Sequence, residues 1–189
     1  MLIPLGFWAA SGAGGGASAA DFQLISTQVL GSSASSVTFS SIPSTFRHLQ
    51  LRMTLKDSNG GSTMDAAYYT YNGDTGANYA WHYLSGNGSG VNSGWSNTYA
   101  NSIRGVATSL FTASAYSSHV MDILDYKQTT KNKTTRIIGG ATNSTYTAYE
   151  VAMNSGLWLS TAAITSITVG AVSGQTWVSG CRFSLYGWN

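Results

Sequence analysis

His119 stands three residues before Asp122 and six before Asp125, and with 28 serines in the chain this is where a hydrolytic triad would be sought. The segment reads as a strand, and in a strand those separations do not bring an imidazole and a carboxylate into triad geometry. No serine sits in a Gly-x-Ser-x-Gly elbow. A glycosidase needs two carboxylates on opposite sides of a sugar. Asp57, Asp65, Asp74, Asp122, Asp125 and Glu150 are scattered enough that spacing leaves a meeting of some pair open, while the scarcity of acids argues against it. Asp122 and Asp125 flank Ile123-Leu124, so they are expected on opposite sides of a strand, at least one partly buried against Arg136 or a backbone amide. His48, His82 and His119 stand alone, without His-x-His or Glu-x-x-His spacing. Asn72-Gly73-Asp74-Thr75-Gly76 lacks the alternating ligands and closing Glu of a calcium loop and reads as a hairpin turn. Gly12-x-Gly14-Gly15-Gly16 has no following Lys, so it is not a phosphate cradle. The lone Cys181 forms no internal disulfide and reads as a small buried apolar residue. The expectation is a protein without enzymatic activity, metal or cofactor.

Two stretches remain as binding surfaces. Lys127 to Arg136 holds four of the nine basic residues, Lys131 among them, and suits either a solvated hairpin or contact with an acidic partner or a phosphorylated glycan. Tyr79, Trp81 and Tyr83 alternate onto one face, with Trp95 further on, beside glycine-rich turns. That arrangement fills a core or subunit interface, and on an open face it stacks on sugar rings. Trp81, Trp95 and Lys131 are therefore the candidate outward or glycan contacts.

The elements that must position these residues are strands. In Arg47 to Lys56, Leu49, Leu51, Met53 and Leu55 point one way and His48, Gln50, Arg52, Thr54 and Lys56 the other, which places one face on a core. Further strands are predicted over 22–30, 36–39, 66–71, 78–85, 101–106, 119–126, 133–140, 145–153, 164–169 and 176–186. In the last, Cys181, Phe183 and Leu185 alternate against Arg182, Ser184 and Tyr186. Turn chemistry separates them at Ser58-Asn59-Gly60-Gly61, Asn72-Gly73-Asp74, Gly86-Asn87-Gly88 and Ser173-Gly174. Only 157–161 and 110–115 offer a short helical turn. About ten strands with proline only at Pro4 and Pro43 predict an all-β, antiparallel, jelly-roll-like β-sandwich over 22–189.

Charged residues make up 8% of the chain, while Ser, Thr, Gly and Asn supply 82 of 189 positions. Polarity thus comes from hydroxyls and amides. A net charge of +2 is too small to imply nucleic acid as a partner. Low charge favours self-association.

Residues 1–21 carry no charged side chain before Asp21. The positive n-region of a signal peptide is missing, Pro4 and Gly6 interrupt the apolar run, and nine residues before Ser11 are too few to span a membrane. The segment is read instead as an extended, Gly/Ala-rich docking arm whose Leu2, Ile3, Leu5, Phe7 and Trp8 insert into a partner.

Several stretches together resemble small structural proteins of tailed bacteriophages. They are Val29 to Phe39 followed by Ser41 to Leu49; Asn72-Gly73-Asp74 with Asn78-Tyr79 and Trp81-His82-Tyr83-Leu84; Asp122-Ile123-Leu124-Asp125-Tyr126 with the Lys/Asn/Thr run; and Ala163 to Ile167 with Arg182 to Gly187. The resemblance covers residues 22–188. It implies a virion protein of tail, fibre or decoration type, made in the host bacterial cytoplasm, and brings no catalytic motif. With the arm, it implies a symmetric homo-oligomer, a trimer for preference, fixed to capsid, neck or tail proteins. A host surface glycan is the alternative partner, which would make the domain a lectin-like recognition module.

Overall fold

The computed structural model describes residues 22–143, 148–172 and 174–189. Twelve strands run through them: β1 (Phe22–Val29), β2 (Ser36–Phe39), β3 (His48–Leu55), β4 (Met64–Tyr71), β5 (Tyr79–Gly86), β6 (Val91–Thr98), β7 (Asn101–Ala107), β8 (Ser117–Ile123), β9 (Lys133–Asn143), β10 (Ala148–Trp158), β11 (Ile167–Ala171) and β12 (Arg182–Trp188). All strand pairs are antiparallel. They form an eight-stranded sheet, β1-β12-β3-β8-β9-β10-β5-β6, and a four-stranded sheet, β2-β11-β4-β7, arranged as a sandwich.

The alternation of β3 sets the register. Leu49, Leu51, Met53 and Leu55 are buried, joined on the same side by Met121, Ile123, Ile137, Phe183 and Leu185. Val37, Phe39, Tyr69, Tyr71, Ile103, Ile167 and Val169 of the small sheet close over them. Each of these large side chains contributes about 1.5–3 kcal/mol on burial, and a slip of one residue would turn a whole set to solvent. Trp177 is fully buried between the layers, with its indole N–H donating to the Val169 carbonyl at 3.3 Å. Cys181 is buried as expected.

The two sheets differ in width, and that shapes the surface. β7 lies over β9 and β10, where Gly105 comes against Gly140 and Ala152; a Cβ at Gly105 would stand 3.2 Å from the Gly140 Cα. β7 also meets β5, and β6 beyond it has no strand of the small sheet packed over it.

Several elements differ from expectation. No helix occurs among the described residues. Leu157 and Trp158 continue β10, because Thr134 and Lys133 on one side and Ala80 and Tyr79 on the other complete the ladder. Residues 110–115 form turns closed by Phe111 N–H to Thr108 and Ala115 N–H to Thr112. The last strand begins at Arg182 rather than near 176, since Gly180 at φ 91° turns the chain. β6 is an additional strand. Its sequence shows no apolar alternation because neither face meets the core.

Candidate functional site

The basic loop is a set of internal ties. Lys127 Nζ donates to the Ser44 carbonyl at 3.1 Å, and Arg136 Nη2 meets Asp122 Oδ2 at 2.8 Å. Lys131 pairs with Asp125, which also accepts from Arg47 Nε at 3.3 Å. These hydrogen bonds hold the Asp125 carboxyl below the usual range. Lys133 is buried, and its ammonium donates to the carbonyls of Gln128, Lys131 and Thr161 at 2.6, 3.1 and 3.0 Å. Desolvation lowers its pKa. Lys131 is the tip of this hairpin, with its side chain exposed and its charge engaged.

The other titratable groups are likewise built into the fold. His119 is buried with no hydrogen-bond partner at either ring nitrogen, and desolvation pushes its pKa down to about 4. Asp57 is fully buried, so desolvation raises its pKa to about 6, opposed by the Asn59 amide and assisted by the Asp65 carboxylate. Asn59 links the two acids, its N–H to Asp57 Oδ1 at 2.9 Å and its side-chain amide to Asp65 Oδ2 at 2.6 Å. Sequence spacing did not reveal this pair. Asp74, in the turn between β4 and β5, accepts from the Trp158 indole at 2.7 Å and the Gly76 amide at 2.8 Å. Its side chain therefore closes the turn. No group of three His, Cys, Asp or Glu side chains assembles among the described residues.

The aromatic candidates separate. Tyr79 is in the core, while Trp81 and Tyr83 follow it on the inner face of β5, half-buried, ring centroids 6.0 Å apart. The Arg104 guanidinium lies 4.6 Å from the Tyr83 ring centre. Trp95 points the other way. It is 73% exposed on the outer face of the large sheet, paired with His82 across β5 and β6.

The rung of Trp95 is polar, running through His82 and Ser155 to Arg136 and Asp122, and the rungs beside it on the outer face are apolar and without charge. Pairing puts Leu84, Met153, Ile138 and Val120 in one rung across four strands, and Val91 and Val151 in the next, with Gly86 between them. Val91 and Val151 are 75% and 63% exposed, and Leu84, Ile138 and Met153 about half. With strands ~4.8 Å apart and ~3.4 Å per residue, the patch covers on the order of 400 Å², more than scattered surface residues present. Two shallow grooves flank the Met153–Ile138 ridge. One of 420 Å³ is lined by His82, Trp95, Asn97, Thr134, Ser155 and Leu157. The other, of 470 Å³, runs over Val120, Ile138, Gly140 and Val151.

Sequence reading singled out Trp95 here and missed its neighbours. The available signal was inverted alternation in β10, where Val151, Met153 and Leu157 oppose the buried Ala152 and Asn154. The docking residues Leu2, Ile3, Leu5, Phe7 and Trp8 lie outside the described residues.

These features define an antiparallel two-sheet β-sandwich with an open apolar face on its larger sheet. Comparison with known protein families, curated proteins and solved structures found no match to this chain.

Proposed function

We propose that this chain is a structural component of a bacteriophage virion, a fibre, appendage or capsid-decoration protein that works as a symmetric homo-oligomer. Its role is mechanical rather than catalytic. The observation that supports this reading is the exposed apolar patch of Leu84, Met153, Ile138 and Val120 with Val91 and Val151, a contiguous area of the kind that is often functional. The low charge of the whole chain supports it as well. The phage resemblance supplies the virion, and residues 1–21 supply the attachment to capsid, neck or tail proteins. Immunogold electron microscopy of intact particles, with antibody against residues 22–189, tests the proposal. Label at a collar, fibre or tail tip makes the protein an appendage; label over the head lattice makes it a decoration protein. Particles without label overturn the reading.

One observation favours a second reading, a glycan-binding module. Trp95 stands beside a groove whose other lining groups, His82, Asn97 and Ser155, offer hydrogen bonds to hydroxyls. Retention on immobilised host polysaccharide that disappears in Trp95→Ala would establish it.

A further inference from the structure

A sheet edge presents unpaired N–H and C=O groups, and soluble proteins blunt such edges with short strands, bulges, charges or proline. The sandwich has four edges, and three are blunted. β2 is four residues long. β1 is broken by a register shift between Leu24 and Ser26. In β7, Asp65 pairs with Val106 and Ala66 with Arg104, which leaves Gly105 as an extra residue at φ 80°, and the strand lies over β9 and β10.

β6 carries none of these devices. All eight residues, Val91-Asn92-Ser93-Gly94-Trp95-Ser96-Asn97-Thr98, pair with β5 in unbroken register, and none is charged or proline. β6 packs against β5, and among the described residues nothing pairs with its outer side. Val91, Asn92, Ser93, Trp95 and Asn97 are exposed, on both faces of the strand. An antiparallel strand turns about half of its backbone polar groups away from its one neighbour.

We infer that β6 pairs, antiparallel, with the β6 of a second copy of this chain about a twofold axis perpendicular to the sheet, joining two eight-stranded sheets into one of sixteen strands. Residues directly opposite one another in an antiparallel pair share a face. Val91, Ser93, Trp95 and Asn97 of one copy therefore meet members of the same set in the other. The apolar areas around Leu84, Val91 and Trp95 then become continuous across the axis. Nothing in this end of the sheet opposes self-contact, since the nearest charges on the face, Arg136 and Asp122, neutralise each other. Pairing β6 with the β1 of a neighbour would form a ring, but the register shift in β1 breaks the partner ladder. The inference rests on the assembly reading and replaces the expected trimer with a twofold contact. Strand pairing over eight residues spans about 27 Å and covers less than the ~800 Å² per partner of a standard interface, so the dimer dissociates on dilution.

The test is sedimentation of the full chain over a dilution series, beside the double variant Ser93→Lys/Asn97→Lys and a chain lacking residues 2–20. Circular dichroism and thermal unfolding confirm that the variants fold. The expected result is a mass rising from 19.9 kDa toward twice that value in wild type, the same doubling from its own smaller monomer mass in the truncated chain, and a monomer at every concentration in the lysine variant. Hydrogen exchange should show β6 amides protected in the wild-type dimer and open in the variant. A trimer, or association unaffected by the lysines, overturns the strand pairing and leaves the assembly reading standing. A full-length monomer that dimerises only after truncation means that the chain's own first residues occupy the edge, and this also overturns the inference. Monomers throughout overturn both.

Discussion

Two buried groups give the protein a pH dependence that neither shows alone. His119 is neutral in the fold, with a pKa of about 4 against 6.5 in the unfolded chain. Between those values the unfolded state binds more protons, so His119 makes stability rise with pH and is fully relaxed above about 6.5. Asp57 works in the opposite sense: its folded pKa of about 6 exceeds its unfolded 3.8, so its contribution is complete below 3.8 and lost as pH rises through 6. Between pH 4 and 6 the two slopes oppose each other. We expect His119→Gln to expose a stability that falls with rising pH in that window, and Asp57→Asn one that rises. Urea unfolding at several pH values reads both, and parallel profiles would refute the assignment. The full His119 swing is worth about 3 kcal/mol. Lys133 offers a simpler check. Its ammonium satisfies three loop carbonyls, so Lys133→Met should cost about 2–3 kcal/mol of stability, read as a lower denaturant midpoint, despite keeping the stem packed.

At the scale of elements, one close approach and one hydrogen-bonded turn decide how strands meet. A Cβ on Gly140 would fall 1.9 Å from the Glu150 carbonyl of β10, a backbone atom that cannot step aside. Gly140→Ala should therefore lower stability by about 3 kcal/mol, read as a drop in thermal midpoint, and a neutral result would mean that β9 and β10 are not in this register. The turn before β5 depends on Asp74, which joins the loop to Trp158 at the end of β10. Asp74→Ala removes an acceptor from the indole and from the Gly76 amide. A loss of about 1.5–3 kcal/mol is expected, with no dependence on added calcium.

For the molecule as a whole, the decisive property is a surface poor in charge joined to an open edge and an apolar face. Association through backbone hydrogen bonds and apolar side chains should survive high sodium chloride and strengthen in sulfate. Sedimentation in both salts checks this, and dissociation by sodium chloride would point instead to the charged residues around Asp122 and Asp125. Deleting residues 2–20 should leave the sandwich folded and abolish attachment to particles, as immunogold labelling would show.

What local sequence could settle was the class of fold and the inward set of the clearest strands. The period of two in His48–Leu55 needs no partner to be read, because side chains alternate on any strand, and Gly and Asn pairs mark the hairpins wherever they occur. The roles of the charged residues were not legible in the same way. Lys133, His119 and Asp57 look like surface residues until the strands around them bury them, and Asp57 meets Asp65 only through a loop closed on Asn59. Trp81 and Trp95 read as one aromatic group and end on opposite faces, because the register of β5 and β6 sets Trp95 opposite His82 rather than Trp81. The apolar rung of Leu84, Met153, Ile138 and Val120 joins residues from four distant segments, and β6 showed no pattern because no core covers it. Spacing along the chain makes successive side chains alternate between two faces; only the tertiary structure sets which face the small sheet covers, and so which face of the large sheet and which edge are left open.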